Sequence, residues 1–96
     1  MSSAYVVGHI TVLDAARWAE YRQQVPATLA PWGGELVFRG ALAEVLDGQH
    51  AHRDTVVIRF PDRAALTAWH ASAAYQALIP LRRQAAAIDL LAFDAD

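Results

Sequence analysis

Residues 55–69 read TVVIRFPDRAALTAW. The stretch opens with β-branched and aromatic residues, which predicts a strand. Pro61 cannot donate to a sheet ladder, and the Asp62 carboxylate can accept from the N–H groups of a following turn. One strand therefore stops and one helix starts within two residues. In that helix Leu66, Trp69 and Ala73 fall on one apolar stripe. A strand handed directly to an amphipathic helix predicts a mixed fold, and the flanking segments decide which one.

Downstream, Ser72 can cap a fresh helical segment in which Tyr75, Leu78 and Arg82 share a face, with Pro80 disturbing its middle. A break near Ser72 lets two helical segments meet at an angle. It predicts a gap beneath the corner, lined by Trp69 and Tyr75 and within reach of Arg82. IDLLAFDAD (88–96) reads as the last strand, with an acidic end.

Upstream, AYVVGHITV (4–12) alternates Tyr5, Val7, His9 and Thr11 on one face against Ala4, Val6, Gly8, Ile10 and Val12 on the other. Asp14 is a good N-cap, and Leu13 with Trp18 predicts a hydrophobic staple. Trp18, Tyr21, Val25 and Leu29 then recur at helical spacing. Pro26 should kink or split this helix, and PWGG should end it, with glycine supplying a left-handed cap. ELVFRGALAEVLDG (35–48) is read as extended, with Glu35, Val37 and Arg39 on one face and a bend or bulge at Gly40. QHAHRD (49–54) is a polar loop.

The order is strand, helix, strand, strand, helix, strand. That predicts an α+β, ferredoxin-like βαββαβ domain spanning residues 1–96, a four-stranded antiparallel sheet with its helices on one face. The other face is bare, although Val7, Val37 and Val57 are expected on it. The chain is 55% hydrophobic and 19% charged, whereas ordinary domains run about 45–50% and about 25%. A small domain has too much surface to be this apolar, so a homodimer packed through the bare sheet face is expected.

A net charge of −2 argues against a nucleic-acid partner. No apolar run approaches the roughly 18 residues of a membrane helix. With no cysteine and no visible signal peptide, a cytoplasmic location is expected.

The segments EYRQQVPATLAPWGGELVFRG, EVLDG, VVIRFPDRAALTAWHASAAYQALIPLRRQAA and DLLAFD together resemble domain-of-unknown-function family 1330. The family pattern runs E-x-Y, a Gly-Gly turn, R-G, a strand ending F-P, W-x-x-S-x-x-Y and L-R-x-x-A. It falls here on Tyr21, Gly33, Gly34, Arg39, Gly40, Glu44, Pro61, Trp69, Ser72, Tyr75, Arg82 and Ala85. Where the family usually reads S-P-E-Y, this chain has Ser72-Ala73-Ala74-Tyr75. The resemblance implies the dimeric α+β barrel superfamily. That superfamily also holds cofactor-free monooxygenases, lactone isomerases, haem enzymes and stress-related proteins, so the fold leaves the reaction open.

For the wall of a pocket the candidates are Trp69 and Tyr75, then Arg82 and Arg39, then His9, Tyr21 and Glu44. Aromatics at helical spacing usually fill a core, but a buried tyrosine hydroxyl needs a partner. Arg39 stands in an apolar strand and calls for a carboxylate, from Glu44 or Glu35, or for a bound anion. A lone mid-strand histidine such as His9 is more often hydrogen-bonded than catalytic. His50 and His52 form an H-x-H, but nothing else of metal-site spacing appears, and neither a metal nor any other cofactor is expected. No phosphate loop, nucleophile elbow or H-E-x-x-H is present.

Three functions remain open. The chain binds a small, partly aromatic or acidic metabolite between sheet and helices, with no assigned catalytic residue. Alternatively it is a cofactor-free enzyme of the monooxygenase or isomerase kind, or it is a structural dimer without a ligand.

Overall fold

The computed structural model describes residues 3–95. It contains β1 (Ala4–Val12), α1 (Ala15–Leu29), a 3-10 turn (Ala30–Trp32), β2 (Glu35–Ala41), β3 (Asp54–Phe60), α2 (Arg63–Ala71), α3 (Ala73–Gln76), α4 (Ile79–Ala85) and β4 (Ala86–Asp94). The strands form one antiparallel sheet in the order β2-β3-β1-β4. This is the expected ferredoxin-like α+β arrangement.

The helices cover one face. Ala4, Val6, Ile58 and Phe60 of the sheet pack against Tyr21, Val25 and Leu29 of α1 and against Leu66, Trp69, Tyr75 and Leu78. The alternation expected for β1 holds, with Ala4, Val6, Gly8 and Ile10 buried and Tyr5, Val7 and His9 half-buried on the open side. The pairing register aligns Phe38, Val57, Val7 and Leu91 across that open face. Phe38 is 51% and Leu91 43% exposed, which leaves an apolar surface without a cover.

Both aspartate caps form as the sequence predicts. Asp14 accepts from the Arg17 N–H at 3.1 Å, and Asp62 from the Ala65 N–H at 2.8 Å. Gly33 closes the 3-10 turn at φ 71°, a left-handed position that favours glycine.

Several local expectations are corrected. Leu13 stays exposed, so the staple over Trp18 buries little. Pro26 neither splits nor ends α1. It sits in the last turn, where the missing N–H costs one bond to the Arg22 carbonyl while the buried stripe of Tyr21, Val25 and Leu29 holds the helix to the sheet. Pro80 lies in the first turn of α4, where a proline's missing N–H is harmless, so residues 73–85 form two helices, not one disturbed helix. Ala73 is exposed, because the chain leaves the helix at Ser72 (φ −62°, ψ 146°) and ends the Leu66–Trp69 stripe. The bulge lies at Val37 rather than Gly40, since Leu36 pairs with Ile58 and Phe38 with Val57, its direct neighbour. Arg39 therefore faces the helices, away from Glu35. Residues 42–48 form a loop with Leu42, Val45 and Leu46 exposed.

Candidate functional site

A small cleft of about 40 Å³ lies between α1, the Trp69–Tyr75 corner and the sheet. Its floor is the cross-strand row Arg39–Val56–Gly8–Leu90. A Cβ on Gly8 would stand 3.0 Å from the Val56 side chain and 3.3 Å from Leu90. The glycine thus keeps the floor low. Trp18, Tyr21, Arg22 and Val25 form one wall, because positions three and four apart share a helix face. Trp69 and Tyr75 form the back.

The corner is tied by short polar contacts. Ser72 donates to the Trp69 carbonyl at 2.6 Å and accepts from the Tyr75 N–H at 3.3 Å. Capping therefore accounts for the serine. The Trp69 indole N–H donates to Thr28 Oγ1 at 3.0 Å, and Thr28 donates to the Val25 carbonyl at 2.7 Å. Trp69 is 1% exposed, with its ring centroid 4.3 Å from that of Tyr75. It is first a core residue, and only its ring borders the cleft.

The tyrosines carry a directed chain. Arg82 Nη1 donates to Tyr75 Oη at 2.8 Å, and the Tyr75 and Tyr21 hydroxyls are 2.9 Å apart. Tyr75 is fully buried, and its hydroxyl meets only these two groups among the described residues. Arg82 can only donate, so the Tyr75 hydrogen goes to Tyr21. The Tyr21 hydrogen is left for the cleft. Burial, and after it the neighbouring Tyr75, push the Tyr21 phenol well above its ordinary pKa. Tyr21 is thus a donor at neutral pH and not a base.

Arg39 lacks the carboxylate expected for it. Glu35 pairs with Arg59 at 3.1 Å across the open face. Glu44 lies in the exposed loop and does not border the cleft. Among the described residues neither Arg39 nor Arg22 is in a salt bridge. Burial, and after it the charge of Arg22, pull the Arg39 pKa down, with Tyr21 opposing them. A guanidinium stays charged even so.

Of the seven candidates, the fold brings Tyr21, Arg39, Trp69 and Tyr75 to the cleft and sets Arg82 behind Tyr75. Glu44 stays out, and His9 is on the opposite sheet face. There His9 hydrogen-bonds Thr55 at 3.2 Å, and His52 bridges Thr11 and Asp89 at 2.9 Å each. His50 stands beside them, its ring centroid 4.8 Å from that of His9. No group of three or more His, Cys, Asp or Glu among the described residues is placed to hold a metal ion.

Sequence reasoning missed Arg22. Its signal was present, since position 22 is four residues after Trp18 and three before Val25, on the edge of the same stripe.

The model of the family described as a domain of unknown function (DUF1330) matches residues 3–95. The chain belongs to this family. Among curated proteins, none matches. Of solved structures, one similar in shape is a protein of unknown function from Rhodopseudomonas palustris. It is 15% identical with a TM-score of 0.82, over 99% of this chain and 83% of that one. A dimeric ferredoxin-like protein of unknown function from Jannaschia sp. CCS1 is 14% identical with a TM-score of 0.75, over 95% and 97%. SnoaB, a cofactor-independent oxygenase from Streptomyces nogalater, is 19% identical with a TM-score of 0.70, over 100% and 95%. At such identities the likeness shows the fold of this DUF1330 chain alone. No helix among the described residues is long and apolar enough to cross a membrane.

Proposed function

We propose that this DUF1330 protein is a cytoplasmic homodimer of single α+β barrel domains that binds a small, partly aromatic or acidic metabolite in the cleft between sheet and helices. The observation that carries this is the Tyr21 hydroxyl, fixed by Tyr75 and Arg82 and left with its hydrogen toward a cleft walled by two tryptophans. A protein that only needed packing would have little use for a spare donor at a gap. The dimer rests on the uncovered row of Phe38, Val57, Val7 and Leu91, and on the dimeric ferredoxin-like Jannaschia neighbour.

The test is a two-dimensional NMR titration with a panel of single-ring acids, phenols and amides. Shifts should concentrate on the Trp18 and Trp69 indole signals and the Gly8 amide. A panel without any response there would refute the cleft as a binding site. Light scattering at micromolar concentration tests the dimer, and a monomer would refute it.

The second function is a cofactor-free enzyme, favoured by the shape shared with SnoaB. Among the described residues, the cleft wall carries no Asp, Glu or His. A substrate would have to ionise by itself before reacting, because no side chain at the wall could take its proton at neutral pH.

A further inference from the structure

Given that the cleft binds a ligand at all, its chemistry restricts which one. The polar side chains at the wall are mostly donors and cations, and no carboxylate stands with them among the described residues. Tyr21 presents a hydroxyl hydrogen, and Arg22 and Arg39 present guanidinium groups that no carboxylate neutralises among the described residues. The Trp69 indole N–H is already used by Thr28. The wall offers one acceptor, the remaining lone pair of the Tyr21 oxygen, so a ligand bearing several N–H or ammonium hydrogens would leave most of them unsatisfied beside two cations. Two like charges at the mouth of a partly buried cleft repel each other until an anion comes between them. The remaining lining is apolar and aromatic, from Trp18, Val56, Leu90 and the Trp69 ring.

We propose that the ligand class is an aromatic carboxylate that is already ionised when it binds. The ring lies on the apolar floor, one carboxylate oxygen takes the Tyr21 hydrogen, and the carboxylate lies between Arg22 and Arg39. A guanidinium fork matches a planar carboxylate in a way an ammonium does not. This proposal rests on the cleft being a binding site and adds the sign of charge, the functional group and the role of Arg22. Since nothing at the wall can remove a proton, the acid has to ionise in solution.

The experiment compares benzoate with benzamide, its neutral isostere, by NMR titration followed at the Trp18 and Trp69 indole signals. Benzoate should bind at least tenfold more tightly, and added salt should weaken benzoate but not benzamide. Arg39→Met should remove the preference for benzoate over benzamide while leaving the light-scattering mass unchanged. Arg22→Met, on an exposed helix position, gives the same readout without touching the sheet. Equal binding of the two probes by the unaltered protein would overturn the carboxylate assignment and leave the cleft as a neutral-ligand site. A loss of dimer in Arg39→Met, with the benzoate preference retained, would overturn it too, by showing that the arginine serves the partner subunit. If neither probe nor any member of the wider panel binds, the binding site itself is refuted.

Discussion

Tyr75→Phe removes one oxygen from a fully buried side chain. The ring, its contact with Trp69 and its place under Ser72 are unchanged. Two hydrogen bonds are lost, the 2.8 Å bond from Arg82 and the 2.9 Å bond to Tyr21. A neutral buried bond contributes about 1 kcal/mol and a bond to a charged group about 1.5–3 kcal/mol. Arg82 is only half-buried and recovers water, so the lower figure applies to it. The expected cost is roughly 2 kcal/mol, read from urea unfolding with protein concentration held fixed because a dimer's stability depends on it. The coupling is more telling than the cost. Tyr21→Phe strands the Tyr75 hydrogen, and Tyr75→Phe leaves the Tyr21 oxygen without its donor. The double variant leaves neither hydroxyl, so it should be less destabilised than the sum of the singles, by on the order of 1 kcal/mol. A loss under about 0.5 kcal/mol for Tyr75→Phe, or strict additivity in the cycle, would refute a buried hydroxyl chain and with it the direction assigned to the Tyr21 hydrogen.

Glycines separate tight from open positions. Gly34→Ala puts a Cβ 2.8 Å from Leu29 Cδ2 and 3.0 Å from Phe60 Cε1, both buried, and should cost about 1–3 kcal/mol in urea unfolding. Gly40→Ala meets nothing closer than the Phe38 ring at 3.6 Å, and should cost less than about 0.5 kcal/mol. Val57→Glu, in the middle of the open-face row, should turn a dimer into a monomer by light scattering while circular dichroism stays folded. Above pH 10 the unfolded Tyr21 phenol ionises while the folded one, with its pKa raised, keeps its proton. Its contribution is therefore whole below pH 10 and falls as pH rises, by about 1.4 kcal/mol per pH unit, and Tyr21→Phe should flatten that part of the pH–stability curve.

The elements were legible because each is locally marked. Alternation in residues 4–12 assigns both faces of β1, and aspartates mark both principal helix starts. What was not legible depends on register. In Leu36-Val37-Phe38 every residue is apolar, so alternation cannot say which one is extra, and the bulge passes unseen. The prolines misled in a consistent way. A proline's cost depends on whether its turn is the first, the last or an interior one, and sequence periodicity does not fix that within two residues. The site was half legible. The break at Ser72 pointed to the corner that holds Trp69 and Tyr75, a local inference. The convergence of His9 with His50 and His52 on the open face spans about forty residues and needs the β1–β3 pairing to be known.

The same bulge links the two surfaces on which the functional proposal depends. Glu35 stands opposite Arg59 on the open face. In an unbroken strand, Val37 and Arg39 would follow it there and Phe38 would turn toward the helices. Val37 would then stand opposite Val57 and the guanidinium opposite Thr55 on the open face, while a phenyl ring opposite Val56 would fill the mouth of the cleft. With Val37 unpaired, the two residues change places. Phe38 joins Val57, Val7 and Leu91 on the open face, and Arg39 joins Val56, Gly8 and Leu90 beneath α1. One extra residue in an edge strand thus makes one face of the sheet more apolar and the other more cationic. Neither property can be read from the composition of residues 35–41, because both face assignments use the same residues.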